Sequence, residues 1–203
     1  MPVTAPDGLS AVKAALSNTG AASSDFDLNP DVVLPPGRKL RPASVLVPIL
    51  CNGPEARLYL TKRSSALKHH PGQIAFPGGK QDEGDADITA TALREASEEI
   101  GLDPANVEVL GELPSHETVT GFIVTPVVAR IVAPFTPRPE AGEVDEVFTV
   151  PLSHVMTPEN FLIQSRRWRG SRRHYFTVPF GPYYIWGATA RILRSMADAA
   201  GRS

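Results

Sequence analysis

Nine residues, Arg94 to Leu102 (REASEEIGL), constrain this chain more than any other stretch. They read as the end of a helix. Leu93, Ala96 and Ile100 recur on one face suited to a core, and Gly101 stands where a left-handed C′ residue would stop the helix. Glu95, Glu98 and Glu99 share another arc: at about 100° per residue, Glu99 falls about 40° from Glu95 and Glu98 about 60° to the other side. That arc lies at the negative end of the helix dipole, where each acid costs roughly 0.3–1 kcal/mol and an i,i+4 like-charge pair adds a few tenths. Arg94, the nearest cation, cannot neutralise three carboxylates. A solvated face is the ordinary fate of an acidic cluster. Here the unfavourable end of the dipole argues instead for a hard divalent cation such as Mg²⁺, which takes oxygen ligands without histidine or thiolate.

The helix is entered from "GQIAFPGG", a short strand running into a proline-glycine-glycine turn, and "DADITATALREASEEIGL" begins it with Asp85 or Asp87 near the N-cap. The paired glycines of "FPGGK", Phe76 to Lys80, let backbone come close to a ligand. Upstream, "ASVLVPIL" and "ARLYLTKR" flank the turn signal "CNGPE" and predict a hairpin. Downstream, "NVEVLGEL", "GFIVTPVVARIV" and "EVFTVPL" predict strands, with an acidic loop over Pro134–Asp145 and a short helix within 151–161. "FLIQSRRWRGSRRHYFTV" predicts two strands about Gly170-Ser171, and "YYIWGATARILRSMADAA" an amphipathic helix with Ile185, Thr189, Ile192 and Met196 along one side. The pattern is that of an α/β fold with a mixed β-sheet between α-helices. Residues 1–41 read as an N-terminal helix, "DGLSAVKAALSN" capped by Asp7, and an extended connector. This arm is expected outside the core, able to pack against a second subunit of a homodimer, with the domain over 42–203.

Whole-chain balance narrows the function. The 203 residues, 42% of them hydrophobic, suffice for one core. A net charge of −2 and a pI near 6.2 argue against wholesale binding to nucleic acid or to an anionic membrane. The single cysteine, Cys51, excludes an intrachain disulfide framework and a cysteine-based zinc cluster. "MPVTAPDGLS" has no basic n-region or apolar h-region and no stretch reaches membrane-span length, so a cytoplasmic protein is expected. Carboxylate-held metal suits hydrolysis of a phosphate ester or anhydride. Lys62, Arg63 and Lys68, just before the glycine loop, are candidates to line the approach of the anion. Arg166, Arg167, Arg169, Arg172 and Arg173, with Trp168 and Tyr175, could form a single-strand surface, but alternating exposed strand faces explain them better. None of His69, His70, His116, His154 and His174 has ligand spacing or an obvious nucleophile partner, and none is assigned to catalysis.

These residues match a known signature. "GGKQDEGDADITATALREASEEIGL", Gly78 to Leu102, resembles the Nudix box of Mg²⁺-dependent hydrolases that cleave nucleoside diphosphates linked to another moiety, with its core intact as Arg94, Glu95, Glu98, Glu99 and Gly101. The interval from Gly79 to Arg94 is one residue longer than in the general box, Asp85 stands where an upstream glutamate is expected, and Ala96 replaces a larger aliphatic. "LTKRSSALKHHPGQIAFPGGK", Leu60 to Lys80, is similar to the segment preceding the box in the coenzyme A diphosphatase group, with Lys68 where an arginine is usual. "TGFIVTPVVA", "EVDEVFTVPL" and "IWGATARIL" extend the likeness over residues 42–195.

The resemblance implies a Nudix fold and a Mg²⁺ or Mn²⁺ cofactor. It implies Glu95 and Glu99 as principal metal ligands, Glu98 beside them, the Gly79 carbonyl as a further ligand, and Arg94 orienting the carboxylates. Arg94, Glu95 and Glu98 are then the catalytic set, with Lys62, Arg63 and Lys68 on the substrate. The water-activating base varies in the family, leaving Glu98, Glu117, Glu140, Glu143 and Glu146 as candidates, Glu98 favoured. The implied reaction is attack of water on the pyrophosphate of coenzyme A, giving 4′-phosphopantetheine and 3′,5′-ADP. ADP-ribose, NADH or another nucleoside diphosphate derivative is the alternative substrate, and a non-enzymatic nucleotide-binding regulatory module the alternative of another class.

Overall fold

Uninterrupted apolar runs such as "SVLVPIL" predict strands covered on both faces. The computed structural model, which describes residues 9–168 and 170–202, places them there. In chain order the elements are α1 (Ser10–Ser17), β1 (Ser23–Ser24), β2 (Arg41–Leu50), β3 (Arg57–Arg63), β4 (Ile74–Ala75), β5 (Gly78–Lys80) and α2 (Ile88–Ile100). There follow β6 (Val107–Glu112), β7 (His116–Glu117), β8 (Phe122–Ile131), β9 (Val144–Pro151), α3 (Leu152–Val155), β10 (Leu162–Trp168), β11 (Ser171–Thr177) and α4 (Gly187–Ala200). The predicted caps Asp7 and the hairpin residue Arg169 lie outside the described residues.

The centre of the sheet is β2 paired in parallel with β8 from Arg41↔Phe122 to Leu50↔Ile131. The expected hairpin closes β2 on β3 at Ile49↔Leu58, and β9 adds antiparallel to β3 with a bulge at Lys62/Arg63. Both central strands change their outer partner midway. β2 meets β5 over Ala43–Val45 and β3 over Ile49–Leu50; β8 meets β7 at Ile123–Val124 and β6 from Val127 onward. A proline sits at each fork. The Leu46 N–H turns outward to the Pro77 carbonyl, so Pro48, two residues on, faces the same side, in the interval where no ladder donor is needed. Pro126, whose carbonyl accepts from Leu113, occupies the matching interval of β8.

Alternation along these strands divides the core into two layers. Val47, Ile49, Leu58, Leu60 and Val128 face α1 and α4, whereas Leu46, Tyr59, Val127, Ala129 and Ile131 face Ala92, Ala96 and Ile100 of α2. The mixed sheet thus lies between helices, as expected. Two readings change. The described part of residues 1–41 is not an arm outside the core: Leu9, Val12 and Ala15 are buried against α4, because α1 is too apolar on that side to stay in water. Its extended part is held by β1, which pairs in parallel with β7, and by buried His116, whose ring nitrogens meet Ser23 Oγ at 2.9 Å and Asp25 Oδ1 at 3.1 Å. The last helix begins at Gly187 rather than Tyr183, since Thr177↔Trp186 and Phe180↔Tyr183 bridges keep the preceding segment extended. Ile185 is buried there without being helical.

Candidate active site

Helix α2 is set by its two ends. Asp87, not Asp85, is the N-cap, its carboxylate accepting the Ala90 N–H at 2.7 Å. Gly101, at φ 69°, closes the other end, where Leu102 N–H returns to the Ala96 carbonyl. The 138–140 loop then donates Arg138 N–H to the Ile100 carbonyl and Glu140 N–H to the Glu99 carbonyl, satisfying acceptors a helix end leaves open. That seating fixes which way each acid points.

Freed from capping, Asp85 takes Arg94 in a bidentate pair of 2.8 and 2.9 Å and is held further by Thr91 Oγ1 and the Asp82 N–H. The guanidinium beside it, with the Asp82 amide, holds its carboxyl well below the usual carboxylate range. The remaining Arg94 nitrogen reaches Glu95 at 2.9 Å and Glu98 at 3.0 Å. One arginine therefore aligns three carboxylates, and Glu99 is not among them. The arc grades from solvent to core. The Glu98 side chain is 59% exposed and that of Glu95 14%, while Glu99 as a residue is 5% exposed. Burial raises the Glu95 carboxyl against the pull of Arg94. Burial pushes Glu99 up to about 7, opposed by the Gly78 N–H, which it accepts at 3.2 Å, and reinforced by Glu95.

The glycine pair carries this arrangement. A Cβ on Gly79 would meet the Glu95 carboxylate at 2.5–2.8 Å, and one on Gly78 would meet the Ser44 carbonyl at 2.4 Å and Val45 Cα at 2.6 Å. Only backbone without side chains can pass between β2 and α2 here. The donor set fits a divalent cation: two carboxylates drawn under a backbone strand, both biased towards protonation by burial, need a positive charge to stay ionised. Among the described residues no three acidic or imidazole groups form a closed cage. Mg²⁺ characteristically takes one or two carboxylates and fills the rest of its shell with water and phosphate oxygens.

The other site residues expected from sequence divide. Arg63 acts on Glu99 electrostatically, and its Nε is buried without a hydrogen-bond partner among the described residues. Lys62 lines a neighbouring cleft. Lys68 is exposed in the loop between β3 and β4. Of the later acids, Glu143 acts on both Glu95 and Glu99, Glu140 contributes backbone, Glu146 accepts from the Tyr183 hydroxyl, and Glu117 is taken by Arg38. Sequence reasoning missed Asp85 as the partner that orients Arg94, although its place upstream of the helix pointed to an acid of some role. Arg166 is an exposed residue of strand β10, as read, but the sequence did not show its contact with Trp186, whose ring centre lies 4.4 Å from the guanidinium. The aromatic run Tyr183, Tyr184 and Trp186 was the available signal.

The NUDIX domain family model matches residues 40–174. An uncharacterized Nudix hydrolase, NudL, of Pectobacterium atrosepticum is 40% identical over 183 residues, covering 88% of this chain and 95% of its own. The NudL of Cronobacter sakazakii is 41% identical over 157 residues, covering 77% and 81%. Among solved structures, the Nudix hydrolase RenU of M. smegmatis aligns with a TM-score of 0.48 at 23% identity, over 58% of this chain and 73% of that one.

Proposed function

The chain belongs to the Nudix hydrolase family, enzymes that hydrolyse a pyrophosphate bond, and we propose that its substrate is coenzyme A or a derivative, cleaved to 4′-phosphopantetheine and 3′,5′-ADP. The observation that carries the hydrolytic reading is the pair Glu95 and Glu99 drawn against Gly78–Gly79, with Arg63, whose Nε has no hydrogen-bond partner among the described residues, acting on Glu99. Glu95, Glu99 and the Gly79 carbonyl would hold Mg²⁺ or Mn²⁺, with Glu98 beside them. When bound, the cation neutralises phosphate charge and lowers the pKa of an attacking water. Arg94, itself fixed by Asp85, keeps Glu95 and Glu98 at set positions. Glu98, the most exposed of the three acids, is the proposed general base, and Glu143 is the second candidate. Arg63 and Lys62 would receive phosphate oxygens, and Lys68 would approach from the loop.

The choice of coenzyme A is supported by the similarity of Leu60–Lys80 to the segment preceding the box in the coenzyme A diphosphatases. The catalytic groups are taken to lie within residues 42–203, with α1 completing the core beneath α4. No helix among the described residues is long and apolar enough to cross a membrane, and a cytoplasmic site of action is part of the proposal. A regulatory module without catalysis is disfavoured by the complete Asp85–Arg94–Glu95–Glu98 alignment. The test is purified protein with Mg²⁺ or Mn²⁺ against coenzyme A, ADP-ribose and NADH. Coenzyme A should give the highest kcat/KM, and Glu99→Gln should lower it by roughly 100-fold or more, a loss of about 2.7 kcal/mol in transition-state stabilisation. Equal or better turnover of ADP-ribose removes the coenzyme A assignment, and unchanged activity in Glu99→Gln removes this residue from the metal site.

A further inference from the structure

Beside the acidic site the described residues form an open cleft of about 640 Å³. One wall is the end of β3 and the loop to β4, with Lys62 and His70; the other is β10 and the segment before α4, with Arg166, Tyr183, Tyr184 and Trp186. Its charge is unbalanced. Neither Lys62 nor Arg166 forms an ion pair among the described residues, although Lys62 is near enough to Asp145 to lower its pKa. Glu146, the one carboxylate among the described lining residues, accepts from the Tyr183 hydroxyl and is turned to the wall.

The rings are held in place before any ligand arrives. Tyr183 lies flat on Phe148, 7° from parallel with ring centres 3.5 Å apart, and Trp186 is fixed between the Arg166 guanidinium and the edge of Tyr175. Tyr184 is 41% exposed and lines the cleft, so its ring is open to a ligand. The backbone is strained at the same place. His70, at φ 54°, is the one non-glycine residue with positive φ among the described residues, and such outliers cluster where a ligand is clamped. Lys62 and Arg63 are consecutive in a strand, so their side chains leave on opposite sides, Arg63 towards Glu99 and Lys62 into the cleft.

We propose that this cleft binds a nucleobase carrying an additional phosphate monoester, the base against Tyr184 and Trp186 and the phosphate between Lys62 and Arg166. For a coenzyme A-type substrate this is the 3′-phosphoadenosine end, and that identification rests on the function proposed above. Base stacking tolerates any flat ring, so the cation pair, which only the extra phosphate can satisfy, sets the selectivity. One strand then distinguishes the two anionic groups of the substrate, through Arg63 at the scissile pyrophosphate and Lys62 at the monoester.

The test is direct binding of adenosine 3′,5′-bisphosphate and of AMP to the full chain, by calorimetry without divalent metal, with thermal melts confirming that variants are folded. The wild type should bind the bisphosphate at least about tenfold more tightly than AMP. Arg166→Gln and Lys62→Gln should each abolish most of that preference, while Tyr184→Ala should weaken both ligands together. Equal affinity of the wild type for the two nucleotides overturns the proposal, as does a preference retained in both Arg166→Gln and Lys62→Gln. A wild type that discriminates the bisphosphate but fails to hydrolyse coenzyme A supports the cleft and sinks the substrate assignment; hydrolysis without discrimination does the reverse.

Discussion

Glu99 is under two opposed demands: packing beneath β5 removes it from water, and ionisation requires a charge to compensate. Its pKa of about 7, against 4.5 for an ordinary glutamate, makes the conflict measurable. Below 4.5 the group is protonated in folded and unfolded chains alike. Between 4.5 and 7 the unfolded chain releases its proton first, so stability is lost as pH rises, by about 3 kcal/mol once both forms are ionised. In chelator, urea unfolding at pH 5 and pH 8 should show this loss. Glu99→Gln should remove it, and Mg²⁺ or Mn²⁺ at pH 8 should restore stability in the wild type alone. A pH dependence identical in wild type and variant would show that Glu99 is not the strained group. At this scale, helical spacing placed the three acids on one arc but not their grading from 59% to 5% exposed, because the depth of each is set by how α2 is seated under residues 138–140.

Among elements, the short strand β5 does two jobs with two glycines. Gly78 passes against the backbone of Ser44 and Val45, which cannot move, whereas Gly79 passes against the carboxylate of Glu95, which can. Gly78→Ala should therefore damage the fold, lowering stability by about 2–4 kcal/mol through overpacking at the β2–β5 pair. Gly79→Ala should cost less than about 1 kcal/mol yet lower kcat/KM by roughly 100-fold, since a displacement of about 1 Å in a positioned group costs that much. Thermal melts and steady-state kinetics on both variants separate the two, and equal destabilisation by both would refute the division. The long elements were legible in the sequence because β2, β8 and α2 carry their own periodicity. β1, β5 and β7, of two or three residues each, were not, since they exist only through the strands they pair with. The Arg166–Trp186 contact was hidden for the same reason: no local pattern brings a hairpin to the residue before a helix.

The molecule as a whole is closed by its N-terminal segment. Leu9, Val12 and Ala15 complete the layer under α4, and Ser23, His116 and Asp25 lock the extended part to β7. Deleting residues 1–17 should lower the unfolding free energy by about 3–5 kcal/mol from lost apolar burial, read as a shifted urea midpoint. Were the segment instead a contact for a second subunit, deletion would change the mass in solution and leave the midpoint of the monomer unmoved. Polar connectors of this composition read as arms because the signal for packing lies in only three apolar side chains, Leu9, Val12 and Ala15, at the start of the segment and along α1.

The two forks in the sheet have a consequence for how such an enzyme can change. On one branch of β2 hang the glycine strand and, through it, the carboxylates of α2; on the other hang β3, β4 and β9, with Lys62, Arg63 and one wall of the aromatic cleft. Along β2 the branches part around Pro48, where no ladder hydrogen bond links them on that side, and they meet again through side chains such as Tyr59 on α2. Substitutions that retune the choice of leaving group can therefore accumulate on the second branch while the hydrolytic groups on the first keep their positions. Inheritance of reactivity and drift of preference are thereby given separate strands to act on.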